Sequence, residues 1–137
     1  MNETENLTEA RRWIRYARED LAAAQAMLNT PSFVPRQACW LAQQSTEKAL
    51  KAVLVYLQTD FPRRHDLDLL RNLIPPDWQV RQQFPDLAAL TEWAVEARYP
   101  GDWVDAGRSD AELAVQQARQ VFDTVELDFR RRGLELG

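Results

Sequence analysis

The chain has 137 residues, 45% hydrophobic and 28% charged, which is enough for one domain with its own core and unlike a disordered polymer. Seventeen Lys and Arg against 21 Asp and Glu give a net charge of −4, which argues against a general DNA-coating protein but leaves room for a local basic patch. One Cys excludes an internal disulfide and points to a reducing compartment, one His excludes Cys/His zinc sites, and the four Gly form no phosphate-cradling loop.

The first residues, Met-Asn-Glu-Thr-Glu-Asn-Leu, are acidic and polar, unlike a targeting peptide. No apolar run approaches the roughly 20 residues of a membrane span. The expectation is a cytoplasmic protein with one domain over 1–137 and a core from about 8 to 132.

Leu7, Ala10, Ile14, Ala17, Leu21, Ala24 and Leu28 step by three and four, which predicts a long first helix. Thr8 or Asn6 is its expected cap, and Asn29-Thr30-Pro31 its stop. Arg11, Arg15 and Arg18 mark its outer face, read as solvated. A second long helix is predicted from about Arg36 to Gln58. Ala38, Ala42, Ser45, Ala49 and Val53 line one side, and Trp40, Leu50, Leu54 and Leu57 widen it, so this helix belongs at the centre of a bundle. Its small residues would let a neighbour approach closely. Gln44, Lys48 and Lys51 form a polar stripe.

His65 or Asp66 opens a short helix with Leu67, Leu70 and Leu73 or Ile74 inward, stopped by Pro75-Pro76. Pro85-Asp86 opens another, with Leu87, Leu90, Ala94 and Ala97 as its stripe. Arg98–Arg108 lacks periodicity and reads as a loop. Ser109-Asp110-Ala111-Glu112 reads as a capping box for the last long helix, which carries Ala111, Val115, Ala118, Phe122, Val125 and Phe129 and ends at Arg130-Arg131-Arg132-Gly133. The fold class is all-α, an up-and-down bundle with three long helices and two short ones.

His65 has no competing imidazole. It starts a helix, where polar residues are favoured for structural reasons, or it serves as an acid, base or ligand contact. Arg63 and Arg64 beside it would suit a phosphate. Glu47 and Lys51 are an i, i+4 pair, which reads either as a solvated salt bridge or, with Lys48, as a site for an anion or partner. Arg98 ends a helix, which suits its charge, and with Tyr99 could hold a nucleotide by a phosphate fork and a stacked ring. The five Trp read mostly as core or interface residues; Trp78 and Trp103 lie outside the strong stripes, which leaves exposure on a partner surface open for these two.

Four pieces in order resemble the HEPN family (higher eukaryotes and prokaryotes nucleotide-binding domain). They are Ala17-Arg18-Glu19-Asp20-Leu21-Ala22-Ala23-Ala24, then Ala42-Gln43-Gln44-Ser45-Thr46-Glu47-Lys48-Ala49-Leu50-Lys51-Ala52, then His65-Asp66-Leu67, then Ala97-Arg98-Tyr99-Pro100 before a long helix. The resemblance spans about Ala10 to Phe129. It implies a bundle of four to five helices, a homodimer, and a prokaryotic protein of the type encoded beside a minimal nucleotidyltransferase in a toxin–antitoxin-like pair. Many HEPN proteins are metal-independent ribonucleases with an Arg, four to six residues, then a His near the start of the last long helix. Here Ser109–Arg132 contains no His.

The resulting expectation is a nucleotide- or RNA-phosphate-binding protein. Its candidate residues are Glu47, Lys48, Lys51, Arg63, Arg64, His65, Asp66, Arg98 and Tyr99, converging on one groove. No metal or cofactor is expected. The alternatives are a divergent ribonuclease using His65 with nearby arginines, and a purely structural helical dimerisation module.

Overall fold

The computed structural model describes residues 2–94 and 105–137. Among them are six helices and no strand: α1 (Glu3–Leu28), α2 (Pro35–Tyr56), α3 (Leu67–Asn72), α4 (Gln79–Gln83), α5 (Ala88–Thr91) and α6 (Arg108–Arg131). The three long helices form the bundle, and α3 to α5 bridge one end of it. No helix among the described residues is long and apolar enough to cross a membrane.

α1 buries Ala10, Ile14, Ala17, Leu21 and Ala24, the stripe read from the sequence. It begins a turn and a half earlier than the expected caps. Asn2 accepts from the Glu5 amide at 2.9 Å, and the Glu5 carboxylate accepts from the Asn2 amide at 3.1 Å. Pro35 occupies the first position of α2, where its missing N–H is no loss. α2 is central as expected, packed between α1 and α6. Ala38, Ala42, Ser45 and Ala49 are fully buried, and Ser45 Oγ donates to the Ala17 carbonyl of α1 at 2.8 Å. Only a small side chain permits that approach.

Asp66 caps α3 by accepting from the Leu69 amide at 3.1 Å. The inward residues are Leu67, Leu70 and Ile74, whereas Leu73 reaches the surface. The expectation for the following stretch needs correction. The sequence pattern predicts no helix where α4 forms, and Trp78, for which the sequence leaves exposure open, is buried at 2% exposure. The Trp78 ring packs edge-on against Phe129 (5.3 Å between centroids) and Tyr56 (6.3 Å), with the Arg132 guanidinium 3.7 Å from its centroid. Asp128 of α6 accepts from the amides of Gln79 and Val80 at 2.9 and 3.0 Å, so the start of α4 is capped from a different helix.

α5 covers four residues, with Leu87, Leu90 and Ala94 buried as expected; Ala97 lies outside the described residues. α6 starts one position before the predicted box. Gly107 is its cap, and the Asp110 carboxylate accepts from the Gly107 amide at 2.8 Å. Its apolar stripe is buried as read. Gly133, at φ +74°, takes the left-handed turn that ends the helix, with its amide donating to Arg130 and that of Leu134 to Phe129. The tail then folds back, and Arg11 Nε donates to the Glu135 carbonyl at 2.6 Å. α1 and α6 run antiparallel: Arg18 pairs with Glu126 at 3.4 Å near one end, and Arg108 reaches the Leu28 carbonyl at the other.

Candidate functional site

One polar cluster sits where the middle of α2 faces the connection before α3. Gln43, Glu47 and Lys51 are successive turns of one α2 face, and residues 62–66 bring His65 onto it. Glu47 is 5% exposed, so its carboxylate must find charge and hydrogen bonds inside the protein. Its Oε1 lies 2.7 Å from His65 Nδ1 and accepts from Gln43 Nε2 at 3.1 Å. Its Oε2 accepts from Lys51 Nζ at 2.9 Å. Gln43 also donates to the His65 carbonyl at 3.3 Å, and its own oxygen accepts from Gln44 at 2.6 Å.

Burial alone would push the Glu47 carboxyl up. The hydrogen bonds from Lys51, His65 and Gln43, together with the Lys51 charge, overcome that and hold it below its ordinary 4.5. An ionised carboxylate only accepts, so the short contact assigns the shared proton to His65 Nδ1. The imidazole is one-third exposed and therefore reachable from solvent, while Glu47 behind it is not.

Lys51 is packed as well as paired. Its ammonium lies 5.3 Å from the Phe61 ring and 5.8 Å from the Trp13 ring, which meet edge-on at 6.4 Å. This aromatic corner fixes the lysine that fixes Glu47. Lys48, one turn along, turns to α1 and pairs with Asp20 at 2.5 Å. The cluster is therefore not the solvated salt-bridge face that i, i+4 spacing alone suggests.

The expected convergence is met by part of the candidate set. Glu47, Lys51 and His65 come together. Arg63 and Arg64 are exposed on the segment that delivers His65. The Asp66 carboxylate is used as the cap of α3, and Lys48 serves the α1–α2 seam. Arg98 and Tyr99 lie outside the described residues, as does Trp103. Arg11, Arg15 and Arg18 are not a uniformly solvated row. Arg11 holds the tail, Arg18 holds Glu126, and Arg15 lies 5.2 Å from the Tyr16 ring. Sequence reading placed Gln43 in the family-like stretch but not among the candidate site residues, although its place four residues before Glu47 is the signal that would have put it there.

Comparison with known proteins agrees with this architecture. The HEPN domain family profile matches residues 10–128. A Methanocaldococcus jannaschii protein named as a candidate toxin is 27% identical over 136 residues, covering 88% of each chain. The crystal structure of a Thermus thermophilus protein is similar at a TM-score of 0.70 and 26% identity, over 87% of this chain and 97% of that one. An archaeal HEPN homologue has the same fold, with a TM-score of 0.64 and 24% identity over 85% of this chain and 94% of its own.

Proposed function

The chain belongs to the HEPN domain family, and we propose that within it this protein binds a nucleotide or RNA phosphate without cleaving it, as the partner of a minimal nucleotidyltransferase in a toxin–antitoxin-like system. The observation that carries the reading is the fixed His65, held from behind by Glu47 and flanked by the exposed Arg63 and Arg64. An arginine guanidinium is a fork of donors of the kind a phosphate needs, and the imidazolium form of His65 adds the N–H that Glu47 does not hold. The last long helix has no His, so the family's Arg-to-His cleavage motif is not formed there. The toxin name of the Methanocaldococcus jannaschii relative supports the toxin–antitoxin setting. Titration calorimetry with ATP, GTP and short RNAs tests the ligand half. Saturable binding that falls at least tenfold in Arg63→Ala/Arg64→Ala is expected. Equal heats for the wild type and this variant overturn it.

One observation favours a second reading, a divergent ribonuclease. A carboxylate 2.7 Å from an imidazole is how a general base is oriented, and here it would prime His65 to take a proton from a ribose hydroxyl. No other imidazole exists in the chain. His65→Ala must then abolish RNA cleavage, and cleavage that persists in this variant eliminates the mechanism.

A further inference from the structure

Tyr16 on α1 presents its ring to solvent at 45% exposure. It stands three residues after Trp13 and four before Asp20, so the three share one flank of the helix. That flank borders α2. Asp20 pairs with Lys48 Nζ at 2.5 Å, and the Trp13 ring lies 5.8 Å from Lys51 Nζ. Between residues 42 and 54, every α2 residue is buried except Gln44, Lys48 and Lys51. These three form a polar strip between two walls. The wall opposite α1 is the segment 61–65, with the Phe61 ring 5.3 Å from Lys51 Nζ and His65 against Glu47. Tyr16 and His65 therefore border the same strip of α2 from opposite sides.

The two walls differ in chemistry. One carries His65 and the exposed Arg63 and Arg64, which suit an anion. The other carries rings. Trp13 and Phe61 meet edge-on at 6.4 Å with the Lys51 ammonium against both, so they are already committed. Tyr16 keeps surface for a planar partner. The Arg15 guanidinium lies 5.2 Å from its centroid, and a ring with a cation at one face can still stack on the other. The strip between the walls is nearly neutral, because Lys48 and Lys51 are paired with Asp20 and Glu47. An anionic group is thus drawn to the arginine wall and a planar one to the tyrosine wall. The walls are one helix apart, roughly 10 Å. That is about the reach of one nucleotide from its phosphate to the outer edge of its base.

We propose that Tyr16 is the base-stacking residue of the site at His65. A nucleoside monophosphate unit, free or within a single strand, lies across α2 with its phosphate at Arg63, Arg64 and His65 and its base on the Tyr16 ring. This assignment rests on the phosphate-binding reading of His65 and supplies the half of the ligand that reading leaves open. Every base has a flat face, so the stacking tolerates any of them.

Titration calorimetry with ribose 5-phosphate and AMP separates the two walls. AMP should bind roughly tenfold or more tightly than ribose 5-phosphate. Tyr16→Ala should remove that advantage and leave the affinity for ribose 5-phosphate unchanged, whereas Tyr16→Phe should keep both. In NMR, the adenine ring protons should shift upfield on binding to the wild type and to Tyr16→Phe more than on binding to Tyr16→Ala. A short oligoadenylate that binds more tightly than AMP marks a strand as the source of the unit, and one that binds more weakly marks the free nucleotide. In either case the tighter ligand must lose affinity in Tyr16→Ala. No binding of any of these ligands overturns the phosphate reading and the Tyr16 assignment together. Equal affinities for AMP and ribose 5-phosphate, an advantage of AMP that survives Tyr16→Ala, or an equal loss of both ligands in that variant overturns the Tyr16 assignment alone.

Discussion

Glu47 and Asp128 are both carboxylates buried on long helices, 5% and 1% exposed, and they are satisfied in opposite ways. Asp128 is held by two backbone amides, those of Gln79 and Val80, which have no other charge state and no other place to go. Glu47 is held by side chains, two of which titrate and one of which reaches solvent. The first arrangement joins α4 to α6 and nothing else. The second can respond to what arrives at the surface. A buried carboxylate is thus a hint of function only when its partners are themselves chemically active and accessible.

Substitutions separate the two. Asp128→Ala leaves two buried N–H groups unpaired at the start of α4, and at about 1–3 kcal/mol for each orphaned donor it should lower stability by about 2–6 kcal/mol. Thermal unfolding should show the loss, while phosphate or nucleotide binding by the folded fraction stays as in the wild type. Binding that weakens along with stability would erase the distinction. Glu47→Gln keeps the shape and removes the charge. Because His65 reaches water and the Lys51 ammonium keeps its two aromatic faces, a smaller loss of about 1–2 kcal/mol is expected, well short of the full penalty for a stranded buried charge. The His65 ring resonances in NMR should move once the carboxylate is neutral, and unmoved resonances would show that the pair does not couple.

The pH dependence has a definite sign. Glu47 ionises more easily in the folded chain than its ordinary 4.5, so its contribution is complete above that value. It is lost as pH falls below 4.5 toward and through the depressed folded value. Wild-type stability should drop across that interval more steeply than that of Glu47→Gln, and parallel curves would contradict the assignment. The smallest effect is expected from Arg63→Ala/Arg64→Ala. Both side chains are exposed, so stability should change by no more than about 0.5 kcal/mol per site while ligand binding falls.

The three long helices and their inner faces were legible because a 3.6-residue period repeats over six or seven turns in each. α4 was not, because five residues hold no period and its cap, Asp128, lies 48 positions from Val80. The burial of Trp78 was hidden for the same reason, since its neighbours Tyr56, Phe129 and Arg132 come from other elements. In the candidate site, the Glu47–Lys51 pair was readable from spacing. Its burial was not, because covering it takes His65, 18 residues on, and the corner made by Trp13 and Phe61.

The contact of Ser45 with the Ala17 carbonyl has a mechanical meaning. At 2.8 Å, between faces lined with alanine, α1 and α2 cannot slide past one another without breaking a buried hydrogen bond and opening voids along the seam. Amide hydrogens along this pair should therefore be among the slowest in the chain to exchange with solvent. Residues 57–66 lie beyond that seam: they turn out of α2 at Gln58 through a left-handed backbone angle (φ +56°) and carry both arginines to the surface. The interlock therefore fixes the helix that carries Glu47, and with it one wall of the polar cluster.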